Sequence, residues 1–291
     1  MNKPFPIALM LGAALFATAA WATDDGRRID ERRPLKPDAR VSVSNVAGSI
    51  EVEAWDKNEL HLTGTLAEEV EKLEITGSES SLKIEVKLPK RTRNTGDTVL
   101  KLKVPAGIAL DARGVSADIT AKGLRGEIEA ESVSGDIELD VASKRVEASS
   151  VSGDVTVRAP AEATRVESVS GDVTVRGVKG ELHGESVSGD VTVQAREVRV
   201  LEVKTVSGDL ELDLELAREA KVTADTLSGE VRLTLPKLPE GEIELETFSG
   251  ELESGLLPGL GHGVKDYQRE GSGKGRLRLH SFSGDIVLKK R

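Results

Sequence analysis

One motif recurs along most of this chain, and a fixed-period repeat constrains the fold strongly, because every copy must stack on copies of itself. Centred on its glycine, the motif lies at Gly135, Gly153, Gly171, Gly189, Gly208, Gly229, Gly250 and Gly284. Successive spacings are 18, 18, 18, 19, 21, 21 and 34 residues. A degenerate copy, Val115-Ser116-Ala117-Asp118-Ile119, puts alanine in the glycine slot, and a fainter one surrounds Gly48.

The slots around the glycine carry distinct physics. Serine precedes it in all eight copies, from Ser134 to Ser283. Ser-Gly reads as a turn, in which glycine permits φ > 0 or the close approach of a neighbouring chain. A carboxylate follows, as Asp136, Asp154, Asp172, Asp190, Asp209, Glu230, Glu251 and Asp285. Apolar residues then sit two apart, as in Val155 and Val157 or Leu210 and Leu212, which is the period of a half-buried strand. A second strand precedes the turn, as in Val146 and Ala148. Three residues before the glycine the slot is always Ser or Thr, so stacking would set these hydroxyls about 4.8 Å apart, within hydrogen-bonding reach along a column. The next slot is apolar, from Val133 to Phe282, and is expected to plug the corner of the coil.

Two architectures use two strands per repeat: a parallel solenoid that climbs one rung per copy, or an antiparallel meander with Ser-Gly as a hairpin turn. Slot-by-slot identity favours the solenoid, because stacked equivalents must share size and polarity whereas hairpin partners need only complement each other. The expected fold is all-β, a right-handed parallel β-solenoid (β-helix) with two short strands per repeat of 18–21 residues. Residues 39–113 share the style without the strict period and are expected to form an N-terminal β cap. Residues 114–291 would then be the repeat domain, with 254–274 as a loop insertion. No helix is evident.

Residues 1–22 hold a short polar start, an apolar run from Ile7 to Ala20 and a small-x-small end, Ala20-Trp21-Ala22. This reads as a cleaved secretory signal, since the run is short for a membrane span and Asp24-Asp25 follows at once. The expected location is therefore periplasmic or secreted, with no integral membrane span after cleavage. Residues 23–38, charged and broken by proline, read as a flexible lead-in. There is no cysteine, so neither a lipid-attachment thiol nor a disulfide can form.

The net charge is −10, and removing Lys3 with the leader takes it to −11. Such a surface repels nucleic acid and anionic lipid, and with 2% aromatic residues base-stacking platforms are not expected either. Eight equivalent carboxylates make poor catalysts, because acid–base work needs groups in different environments with separated pKa values. One carboxylate per ~18 residues is also too sparse for a calcium roll built on nonapeptides. His61, His183, His262 and His280 are scattered, with no zinc spacing. A threonine column, Thr156, Thr174 and Thr192, spans only three rungs and reflects strand propensity. No nucleophile elbow, phosphate loop or dinucleotide fingerprint is present. No catalytic, cofactor-binding or metal-binding residues are therefore assigned, and no cofactor is expected.

The irregular segment Ser254 to Lys274 breaks the pattern, and loops on rigid scaffolds often carry recognition. His262, Tyr267 and Arg269 are its candidate contacts, set against a flexible insertion as the simpler reading.

The repeated Ser-Val-Ser-Gly-Asp-Val-Thr-Val strings, Gly-Ser-Ile-Glu-Val-Glu-Ala-Trp-Asp at 48–56 and Leu-Lys-Val-Pro-Ala-Gly at 102–107 resemble the bacterial putative-adhesin β-solenoid family, over about residues 39–291. The resemblance implies an envelope-associated or secreted parallel β-helix, with adhesion as the inferred role and no catalytic residues to carry over. The expected function is a non-enzymatic exported scaffold or adhesin-like module that binds an envelope polysaccharide or protein. A polysaccharide-processing β-helix enzyme is one alternative and an envelope-stress sensing component another. An enzyme would show unequal carboxylates clustered with basic residues in a groove, and the columns here are uniform.

Overall fold

The computed structural model describes residues 27–89, 96–257 and 260–291. The expected signal segment, residues 1–22, and residues 23–26 of the expected lead-in lie outside the described residues. Among these the chain is all strand and turn, with twenty-two strands and no helix.

Alternation drives the packing. Along one stack, Ile119, Ile137, Val155, Val173, Val191, Leu210, Val231, Ile286 and Leu252 are register partners in turn, and all are buried. A second stack aligns Leu110, Ile128, Val146, Thr164, Leu182, Leu201, Val222, Leu277 and Ile243. Each strand pairs in parallel with the equivalent strand of the next copy. Ser-Gly is thus a corner between stacks and not a hairpin turn. The result is a large, mostly parallel, β-solenoid-like sheet whose inward rows form one continuous core.

The copies do not stack in chain order at either end. Strand Arg276–Ser283 lies between Leu210–Ser228 and Glu242–Thr247, parallel to both. Likewise Ile286–Lys290 lies between Val231–Leu235 and Leu252–Ser254. The chain passes its last position, builds the outermost rung, and returns to fill the gap, which is why the final glycine spacing is 34 residues. At the other end Arg40–Trp55 is flanked by Ala109–Lys122 on one side and by Ser81–Lys87 and Thr98–Pro105 on the other.

Antiparallel strands are added at both ends. Asp266–Arg269 pairs with Glu242–Thr247, so the segment expected to be a plain loop insertion contains an edge strand. Lys72–Ser78 pairs with Ser81–Lys87, and Glu59–Thr65 with Thr98–Pro105. Arg28–Pro34 then pairs with Glu59–Thr65, which corrects the expected flexible lead-in over that stretch. Ile29 is buried while Arg28, Asp30 and Arg32 are exposed beside a paired backbone, so a low apolar content does not prevent the strand.

Candidate functional site

The corner is where the repeated residues concentrate, and its packing differs from expectation. The hydroxyl, not the apolar residue, fills it. Ser150 Oγ accepts from the Gly153 N–H at 2.9 Å and donates to the Gly135 carbonyl of the preceding rung at 3.2 Å. Ser132 does the same with Gly135 and Ala117, and Thr247 with Gly250 and Gly284. These hydroxyls are buried and bond to backbone of the glycine slot, held by alanine at Ala117, and not to one another along the column. The glycine is required for close approach: a Cβ on Gly153 would stand 2.1 Å from the Gly135 oxygen.

The residue after an inward hydroxyl must point outward. Val115, Val133, Val151, Val169, Val187, Val206, Leu227, Phe282 and Phe248 accordingly form one exposed column, 43–67% accessible, in that spatial order. Backbone bonds such as Ser152 N–H to Val133 C=O at 2.9 Å hold the column in register. At its end the rings of Phe282 and Phe248 stack, centroids 4.9 Å apart. Eight steps of about 4.8 Å make a ridge roughly 40 Å long. Isolated surface valines are ordinary, but a contiguous apolar patch beyond a few hundred Å² marks a contact surface. One flank of the ridge is the row of exposed turn serines. The other is the outward strand row Arg113, Glu131, Ser149, Glu167, Glu185, Lys204, Asp225, His280 and Glu246, each in register with the next.

The carboxylate column is occupied by the backbone. Asp118, Asp136, Asp154, Asp172 and Asp190 each accept, through Oδ1, the N–H of the corresponding acid one rung on, at 2.8–3.0 Å. All five make the same bond. Displaced carboxyl pKa values occur in exposed ion pairs: hydrogen bonding from Lys204 holds Glu202 below its ordinary value, and Lys83 and Lys87 do the same to Glu85.

Of the loop candidates, Tyr267 and Arg269 come together with Leu256, Leu257, Leu260, Gly261 and Val264 around a depression of about 470 Å³. Arg269 Nη2 donates to the Pro239 carbonyl at 2.8 Å, so part of its bonding capacity is already used. His262 is exposed and outside that lining. A grouping that the linear sequence hides is Glu244, Glu246 and His280, whose ligand atoms lie within 4.8 Å of one another. The out-of-order rung brings them together, and they could hold a divalent cation. Arg278 Nε already donates to Glu244 Oε2 at 2.6 Å, which supplies positive charge there without one.

Fold and surface together define a repeat-built, β-solenoid-like protein with one exposed apolar column. The chain belongs to the Toastrack DUF4097 family, whose model matches residues 38–289. A putative adhesin from Bacteroides fragilis superposes with a TM-score of 0.51 at 15% identity, covering 92% of this chain and 98% of that one. A putative lipid binding protein from Parabacteroides distasonis gives a TM-score of 0.52 at 16% identity, covering 91% and 97%. At such identities the likeness is one of fold. No curated protein sequence matches the chain. No helix among the described residues is long and apolar enough to cross a membrane.

Proposed function

We propose that the protein is an exported, non-enzymatic association module of the bacterial envelope, an adhesin-like scaffold that acts through its surface. The observation that carries this reading is the ridge of nine exposed apolar side chains on a rigid stack. A chain that keeps its corner aspartates bound to its own backbone yet leaves such a ridge in water is built to be covered by something. Export rests on the leader-like residues 1–22, with periplasm or secretion as the destination. The architecture that goes with it is a right-handed solenoid with two strands per turn, an N-terminal cap over residues 39–113 and a repeat domain over 114–291. The 254–274 segment, with Tyr267 and Arg269, is a secondary contact candidate.

The test compares the protein, expressed with its own N-terminus and purified as the cell delivers it, with a Val151→Glu/Val187→Glu variant. Both positions are exposed, so the fold should survive. Saturable retention on envelope fractions or on itself is expected for the parent and not for the variant. Equal retention of the two would sink the reading, as would depolymerisation of an envelope glycan by the parent.

A further inference from the structure

The apolar ridge has a shape and a charge pattern that fit one occupant, and we infer that this occupant is a second copy of the same chain, packed ridge to ridge in antiparallel fashion about a two-fold axis at Val187. This rests on the association reading above and names its partner.

Area is the first argument. With fractional exposures of 43–67%, the nine side chains present on the order of 800 Å² together, which is about one partner's share of a standard protein interface. The largest patch on a typical monomer is smaller, about 300–600 Å². The ridge is also evenly toothed at the rung spacing and bounded on its turn side by small serines that let another body approach closely.

Charge is the second argument, and it selects the register. An antiparallel two-fold sets the strand flank of one copy against the same flank of the other, with the fifth of nine rungs, Val187, on the axis. Arg113 then faces Glu246, and Glu131 faces His280. Ser149 faces Asp225, and Glu167 faces Lys204. Only Glu185 meets its own copy. Sliding by one rung in one direction sets Glu131 against Glu246 and Glu167 against Asp225, each twice by symmetry. Sliding in the other sets Glu131 against Asp225 and Glu167 against Glu185, again twice each. The centred register alone gives full apolar overlap with a single like-charge contact. A closed two-fold also ends the assembly at two, where a head-to-tail contact would propagate.

Sedimentation of the protein as the cell delivers it should show a dimer with a dissociation constant in the micromolar range or tighter. Val187→Glu, which puts two carboxylates on the axis, should weaken it by about 100-fold or more. Glu167→Lys and Lys204→Glu should each weaken it about tenfold, and the double exchange should restore it, because the reversed pair still complements itself across the axis. The chain has no cysteine, so Val187→Cys should oxidise to a covalent dimer while Val115→Cys alone should not. A protein that stays monomeric at ~100 µM, a double exchange that fails to restore, or linkage by Val115→Cys alone overturns the proposal. If the protein is monomeric but ridge variants still lose envelope retention, self-pairing falls and the association reading stands. If retention is also unchanged, both fall.

Discussion

The backbone amide of Asp154 donates to Oδ1 of Asp136, 2.9 Å away on the neighbouring rung, and Oδ1 of Asp154 in turn accepts from Asp172 at 2.8 Å. Each aspartate therefore caps the corner of the next copy while its own amide is capped by the one before. What the column requires is an acceptor at that distance, not a charge. Like charges about 4.8 Å apart on a solvated edge repel each other, so the bond is made at some electrostatic cost.

Asp154→Asn keeps an acceptor and removes one charge, and it should leave the urea midpoint unchanged or slightly raised. Asp154→Ala removes the acceptor for Asp172 and should cost about 1 kcal/mol, the net worth of a partly exposed hydrogen bond. Added salt should raise the melting temperature of the parent by screening the column. Equal losses for Asn and Ala would show that the negative charge itself is needed.

The corner behind the column tolerates less. Gly153→Ala places a Cβ 2.1 Å from the Gly135 oxygen, and two hydrogen-bonded rungs would have to separate. A loss of about 3 kcal/mol or more is expected, read from chemical denaturation. Ser150→Ala strands the buried Gly153 amide and should cost about 1–3 kcal/mol. Ser150→Thr should be mild, because Thr205, Thr226 and Thr247 occupy the same slot in other copies.

Thr164 stands in a stack otherwise made of Ile, Val and Leu, between Val146 and Leu182, 3% exposed and with no partner for its Oγ1. Thr164→Val removes an unpaired buried hydroxyl without changing the shape, and should stabilise by about 1–2 kcal/mol. A lower denaturation midpoint would mean that the hydroxyl finds a partner in solution.

Much of the stack was legible in the sequence because parallel stacking forces each slot to repeat, and the Ser-Gly pairs, the acids and the alternating valines did so. The placement of Val151 was not. Alternation fixes that neighbours point to opposite sides, yet a hydroxyl and a valine both suit a corner, and only the glycine amide waiting 2.9 Å from Ser150 Oγ decides which goes inward. The apolar ridge was hidden by that ambiguity. Rung order was hidden for another reason: Leu277 is as good a partner for Val222 as Ile243 would be, so the pattern fits either order, and the 34-residue gap was the one visible sign. The Glu244, Glu246 and His280 grouping follows from that order and could not be read without it.

The out-of-order rung makes its own prediction. Removing residues 276–291 takes away the ladder partner of Glu242–Thr247 and of Leu252–Ser254 at once, since both pair in parallel with the deleted strands. The outermost rung should then detach with its edge strand Asp266–Arg269, leaving Leu210–Ser228 and Val231–Leu235 as a bare edge. Hydrogen exchange reads this directly: amides over 242–254 should lose protection as fully as if they had been deleted themselves, while those over 137–176 keep theirs. A stack built in chain order would behave in the opposite way, losing only its last unit and leaving 242–254 protected against 210–235. Retained protection at Ile243 and Leu245 in the truncated chain would therefore refute the interleaved arrangement.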